Sequence, residues 1–196
     1  MDLDELRARA AAAAPWSIER TLWVVALIDA VLTQDVILIG GAAHNLYTGD
    51  YRPTDIDLAA PDVDRSTFRA LTAAGFTDLG PGHRHIGLLL DDEEPPLLVE
   101  FPTSGSDIEA TTTVQLTDEV AVQVISLEDL VVDRLIQATD RTRVTFEDAV
   151  ALTVAAFDEI AWPTVNDRVD MLASEPDLGE LPVVLGRVRA AAERAR

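Results

Sequence analysis

A chain of 196 residues, 48% hydrophobic and 26% charged, has room for one well-cored domain or for a compact domain with a helical appendage, and such a composition excludes disorder and fibrous arrays. The absence of cysteine excludes disulfides, thiolate nucleophiles and Cys-ligated metals, and the absence of lysine excludes the Walker A loop, Schiff-base chemistry and the kinase lysine. With 15 basic against 35 acidic residues the net charge is −20, a field that disfavours long nucleic acid as a partner unless the arginines gather on one face.

The chain starts Met1-Asp2-Leu3-Asp4-Glu5, acidic where a secretory leader needs basic residues, and its longest apolar stretch, Leu22 to Leu32, is interrupted by Asp29. That stretch is shorter than the roughly 20 residues that span a bilayer, so the expectation is a cytoplasmic protein with no membrane partner. Pro15-Trp16-Ser17 opens a helix through Leu32 with Ser17 as its N-cap. Val36 to Ile39 is a continuous aliphatic run of the kind found in strands buried on both faces, ended by Gly40-Gly41 and followed by a short helix from Ala42 to Tyr47.

Asp50 to Thr54 reads as a loop, because Pro53 keeps Arg52 out of helical geometry, and Asp55-Ile56-Asp57-Leu58-Ala59 alternates as a strand. Asp64 to Gly75 is a predicted helix. His85 to Leu90 and Leu97 to Phe101 are predicted strands separated by the acidic turn Asp91 to Pro96, and Val114 to Leu116 with Val120 to Ile125 form a further hairpin. From Ser126 the apolar period becomes helical. Ser126-Leu127-Glu128-Asp129 and Thr145-Phe146-Glu147-Asp148 match a capping pattern, and Pro163 and Pro182 open two more helices. The predicted class is α+β: a small mixed sheet flanked by helices in residues 1–125, with a helical part in 126–196 packed on that core.

Three separated segments point to one chemistry. Paired glycines after a buried strand let backbone N–H groups approach a phosphate, and the following helix turns its positive end to that anion, so Gly40 and Gly41 form an anion seat. Residues two apart on a strand project to one side, so Asp55 and Asp57 can reach one cation, and Glu100, inside the run Leu97 to Phe101, can complete the set. Such hard oxygen ligands suit magnesium. Two ions would serve an in-line displacement, one activating an acceptor hydroxyl and one neutralising the nucleotide and its leaving pyrophosphate. Arg52 and Thr54, just before the aspartates, are candidate contacts to the nucleotide phosphates.

Gly40-Gly41, Asp55-x-Asp57 and the later Glu100 together resemble the signature of the DNA polymerase β-like nucleotidyltransferase superfamily. Arg52-x-Thr54-Asp55-Ile56-Asp57-Leu58 resembles its minimal bacterial and archaeal branch, which includes AbiEii-like toxins of toxin–antitoxin systems. Ile125-Ser126-Leu127-Glu128-Asp129-Leu130 with Arg134 is similar to a downstream segment of that branch, in which lysine is common at the arginine's place. The resemblance covers roughly residues 36–150, and at position 100 many members have aspartate. It implies a small mixed sheet, two magnesium ions, a nucleoside triphosphate (NTP) donor and transfer of its monophosphate, with Arg134 near the nucleotide. It does not imply the acceptor, for which a hydroxyl of RNA, protein or a small molecule is expected, and its toxin branch adds the expectation of an antitoxin partner. The alternatives are an antibiotic nucleotidyltransferase, whose acidic surface draws in a polycationic aminoglycoside, and an inactive nucleotidyltransferase-like binding protein.

Other features carry plainer expectations. His83-Arg84-His85 alternates along a hairpin without an evident third ligand and reads as exposed, and His44 reads as packed or capping. Asp129, Arg134, Asp140 and Arg141 read as charges paired on helix surfaces.

Overall fold

Ser17 caps a helix as its sequence foretells, its hydroxyl accepting a bond from the Arg20 N–H at 3.1 Å, in a computed structural model that describes residues 1–32, 34–49, 53–79, 85–90, 95–102, 108–140 and 142–196. The chain divides into two compact units, Met1–Ile125 and Ser126–Arg196. The first contains α1 (Leu3–Ala12), α2 (Ile18–Leu32), β1 (Ile37–Leu38), α3 (Gly40–Thr48), β2 (Asp55–Ala59), α4 (Arg65–Ala73), β3 (Thr77–Asp78), β4 (His85–Leu88), β5 (Leu97–Glu100), β6 (Thr111–Gln115) and β7 (Ala121–Ile125). Among the described residues the strands form one seven-stranded sheet in the order β3-β4-β5-β2-β1-β7-β6. It is mixed, because β2 runs parallel to β5 and β1 parallel to β7, while the other neighbours are antiparallel.

The pleat gives the sheet two unlike faces. Ile56, Val99 and Ile86 stand opposite one another on β2, β5 and β4, and all are at most 3% exposed. The next row along these strands, Asp57, Glu100 and His85, projects from the opposite face and remains part-exposed. Buried residues follow one another along α2 from Arg20 to Ile28, as expected of a helix enclosed on all sides, and α1, α3, α4 and β7 pack around it.

α1 is an element the sequence reading did not anticipate. Its N-cap Asp2 accepts the Glu5 N–H at 2.8 Å, and Leu6 and Ala10, one turn apart, are its buried contacts. The buried guanidinium of Arg20 closes the other end, donating to the carbonyls of Ala13 at 3.0 and 2.6 Å and of Ala11 at 3.3 Å.

The second unit contains α5 (Leu127–Ala138), α6 (Arg143–Ala155), α7 (Trp162–Leu172) and α8 (Leu181–Ala195), with α5 packed on the other three and α8 on α6 and α7. Its core includes Leu130, Leu135, Leu152, Val165 and Leu181, all fully buried. Ser126 caps α5 through the Asp129 N–H at 3.1 Å, as its pattern foretold. The second cap differs: Thr142 caps α6 by accepting the Thr145 N–H at 3.2 Å, so Thr145 is the third helical residue. Nor is Asp129 a surface charge, since it is 8% exposed and lies 3.9 Å from the buried Arg168 of α7. The whole is the α+β architecture expected of the chain.

Candidate functional site

Two strand registers assemble the acidic cluster. Parallel pairing of β2 with β5 sets Asp57 opposite Glu100 and Asp55 opposite Leu98, and the alternation within β2 puts Asp55 on the same side as Asp57. One carboxylate oxygen from each of Asp55, Asp57 and Glu100 lies within 4.8 Å of the others, and all three residues are half-buried. The sequence expectation that these distant carboxylates share a face therefore matches the geometry.

The diglycine bend lies against the same cluster. Ile39, after β1, donates its N–H to the Asp57 carbonyl at 3.0 Å, which carries the β1–β2 pairing one step beyond the strand and sets Gly40 beside Asp57. Gly40 has φ +65°, a conformation that side chains rarely adopt, and a Cβ there would stand 2.0 Å from Asp57 Oδ2. Glycine is needed twice over: for the left-handed backbone and for the space the carboxylate occupies. Gly40 and Gly41 are the first residues of α3, so the helix starts two residues earlier than the apolar pattern indicated and directs its positive end toward the acidic face. Tyr47 ties the far end of α3 to the sheet, donating to the Ile125 carbonyl at 2.7 Å. His44 on the same helix is 3% exposed, the packed residue its position implied.

Thr54 is exposed at the mouth of β2, where it lines a groove with Pro15, Trp16 and Pro53. Arg52, another candidate, lies outside the described residues, as do His83, Arg84 and Arg141. Arg134 is on α5 of the second unit, 8% exposed, its guanidinium donating to Gln137 Oε1 at 2.8 Å; it pairs within its own helix without standing on the surface.

Among solved structures, an antigenic nucleotidyltransferase-like protein from Paracoccidioides brasiliensis superposes with a TM-score of 0.58 at 17% identity, over 97% of this chain and 93% of that one. The fold is nucleotidyltransferase-like. A nucleotidyltransferase candidate from H. pylori aligns over 99% of this chain and 96% of its own with a TM-score of 0.41 and 12% identity. No protein-family model and no curated protein matches the chain.

Within this nucleotidyltransferase-like fold, the donor set fits a hard divalent cation. Three carboxylates at ligand-sharing distance repel one another in the absence of a cation, and they stay exposed enough to leave coordination places for water on an ion held there. One further residue reaches the cluster. His85 on β4 stands opposite Glu100, with Nε2 3.0 Å from Oε1. The sequence pattern around His85 does not say which acidic residue lies next to it; the register of β4 on β5 does.

Among the described residues no helix is long and apolar enough to cross a membrane.

Proposed function

We propose that this chain is a magnesium-dependent nucleotidyltransferase that moves a nucleoside monophosphate from an NTP to a hydroxyl acceptor. The single observation carrying the reading is the meeting of Asp55, Asp57 and Glu100 within 4.8 Å beside a glycine whose missing side chain makes room for Asp57. Asp55, Asp57 and Glu100 would hold the metal, which when bound neutralises charge on the nucleotide and on the leaving pyrophosphate. Gly40 and Gly41 present backbone N–H groups at the start of α3 to the triphosphate, and Thr54, exposed at the mouth of β2, adds a hydroxyl to that end of the site. The acceptor oxygen forms a bond to the α-phosphorus as the bond to pyrophosphate breaks, and the hydroxyl proton passes to the Glu100 carboxylate. Arg52 and Arg134 are assigned to the nucleotide by the sequence resemblance alone.

Arg52-x-Thr54-Asp55-Ile56-Asp57-Leu58 favours a toxin-like member acting in the cytoplasm, opposed by an antitoxin and modifying RNA or protein. The net charge of −20 supports one competing acceptor, a polycationic small molecule of aminoglycoside type, drawn in by the field of the whole chain. Mass spectrometry decides between them after incubation with each NTP, magnesium, and tRNA, protein or aminoglycoside in turn, with Asp57→Asn as the control. Transfer to one acceptor class by the wild type and not by the variant is the expected result. If no acceptor gains a nucleotide and NTP binding does not depend on magnesium, the reading is wrong.

A further inference from the structure

The imidazole of His85 lies against the acidic cluster without being one of its carboxylates. It is a cross-strand partner of Glu100, with Nε2 3.0 Å from Oε1, and both side chains are partly open to water, at 46% and 32% exposure. A polar contact so exposed contributes little to folding, so stability does not account for it. Among the described residues the groups close enough to share one ion are Asp55, Asp57 and Glu100, and His85 is not one of them. Its contact with the acidic cluster is made with Glu100.

We propose that His85 is a positioning residue, which fixes the Glu100 carboxylate in the rotamer that completes the metal-binding triad. The inference rests on the metal reading above and adds to it a residue outside the set of ligands. Asp55 and Asp57 have short side chains held by a central strand, whereas Glu100 has one more rotatable bond and more freedom to lose when a cation binds. An imidazole nitrogen at hydrogen-bond distance from one carboxylate oxygen removes part of that freedom in advance and leaves the second oxygen for a cation. Outer groups of this kind typically change metal affinity by about 10–100-fold. Glutamate at this position and histidine opposite it on the neighbouring strand are then one device: the longer arm reaches the site and the ring steadies it.

The test reads Mn²⁺ binding to the full chain by electron paramagnetic resonance, with no turnover required. His85→Ala is expected to weaken Mn²⁺ binding by about 10-fold with its thermal midpoint unchanged. His85→Gln, whose amide N–H can reach the same oxygen, should recover most of that loss. Because the ring acts through Glu100, adding His85→Ala to Glu100→Gln should weaken binding no further than Glu100→Gln alone. The proposal is overturned if His85→Ala binds as wild type does, if His85→Gln is no better than His85→Ala, or if the double variant loses affinity additively, as for a direct ligand. Should the wild type itself bind no Mn²⁺, or Asp57→Asn bind it as well as the wild type, the triad reading fails and this inference fails with it.

Discussion

In the second unit, Asp129 is buried beside an arginine, Arg168, 3.9 Å away on a packed neighbouring helix. In the first, Asp55, Asp57 and Glu100 are brought together with one another and are left half-exposed. Burying a carboxylate removes it from water, which is tolerable when a cation of the protein's own stands opposite; the helical unit follows that rule. The sheet face gathers like charges where water can reach them, an arrangement that the proposed cation site would account for. The two clusters should therefore answer mutation in opposite ways: the sheet cluster should govern binding and turnover, and the helical pair should govern stability.

The largest effect belongs to the triad. Asp57→Asn should lower nucleotide transfer at least about 1000-fold, equivalent to about 4 kcal/mol of barrier, while the thermal midpoint stays level or rises as like-charge repulsion is relieved. Steady-state kinetics paired with calorimetry reads both, and a variant that keeps its activity would sink the assignment. Arg168→Ala should do the reverse, lowering the free energy of unfolding by about 3 kcal/mol because Asp129 is left buried without that partner, with the Mn²⁺ affinity of the triad untouched. Urea unfolding followed beside Mn²⁺ titration separates the two readouts. Loss of metal binding without loss of stability would show that the contrast between the units is misdrawn.

Two glycines sharpen the comparison inside the first unit. Gly40 and Gly49 bracket α3, and both have left-handed backbones, with φ of +65° and +71°. A Cβ on Gly49 meets nothing within 4 Å, whereas one on Gly40 drives into Asp57. Gly49→Ala should therefore cost only the conformational penalty of about 1 kcal/mol and leave Mn²⁺ binding intact. Gly40→Ala should cost about 2 kcal/mol or more and also displace Asp57, with loss of Mn²⁺ binding. Equal behaviour of the two variants would mean that the packing of Gly40 on the carboxylate has no part in the site.

The acidic face was legible in the sequence because its signals are local: Asp55-Ile56-Asp57 alternates within one strand, and Gly40-Gly41 follows directly on an aliphatic run. Glu100 could be named because a carboxylate inside Leu97 to Phe101 needs either water or a cation. The place of His85 beside Glu100 is not legible in the sequence, since alternation reveals which face a residue takes and nothing of the strand beside it; the register of β4 on β5 supplies that. α1 escaped because an alanine-rich run has little apolar contrast, although Asp2 capping Glu5 and Leu6 one turn before Ala10 were there to be read. Thr145 drew the helix start away from Thr142 because the familiar capping pattern favours an acidic third residue, and here that residue is a threonine. Asp129 looks like a surface charge in the sequence because its partner, Arg168, comes from a different helix, a pairing no local spacing encodes.

The smallest expected effect tests the second unit's handling of charge at the half-buried Asp133 of α5. Burial pushes its carboxyl above the usual 3.8, outweighing the opposing pulls of the neighbouring Arg134 charge and of the hydrogen bond donated by Gln137 at 2.9 Å. The folded state therefore holds this proton more tightly than the unfolded chain does. Its contribution to stability is complete below pH 3.8 and is lost as pH rises through the elevated folded value. Asp133→Asn, which keeps an oxygen to accept from Gln137 and carries no charge, should be more stable than wild type at pH 7, with the advantage shrinking as pH falls toward that of the unfolded group. Urea midpoints at pH 7 and pH 4 measure it, and Mn²⁺ affinity should not change. A variant less stable than wild type at pH 7 would mean that attraction to Arg134 outweighs burial, and Asp133 would then join Asp129 as a carboxylate the helices neutralise with their own arginine.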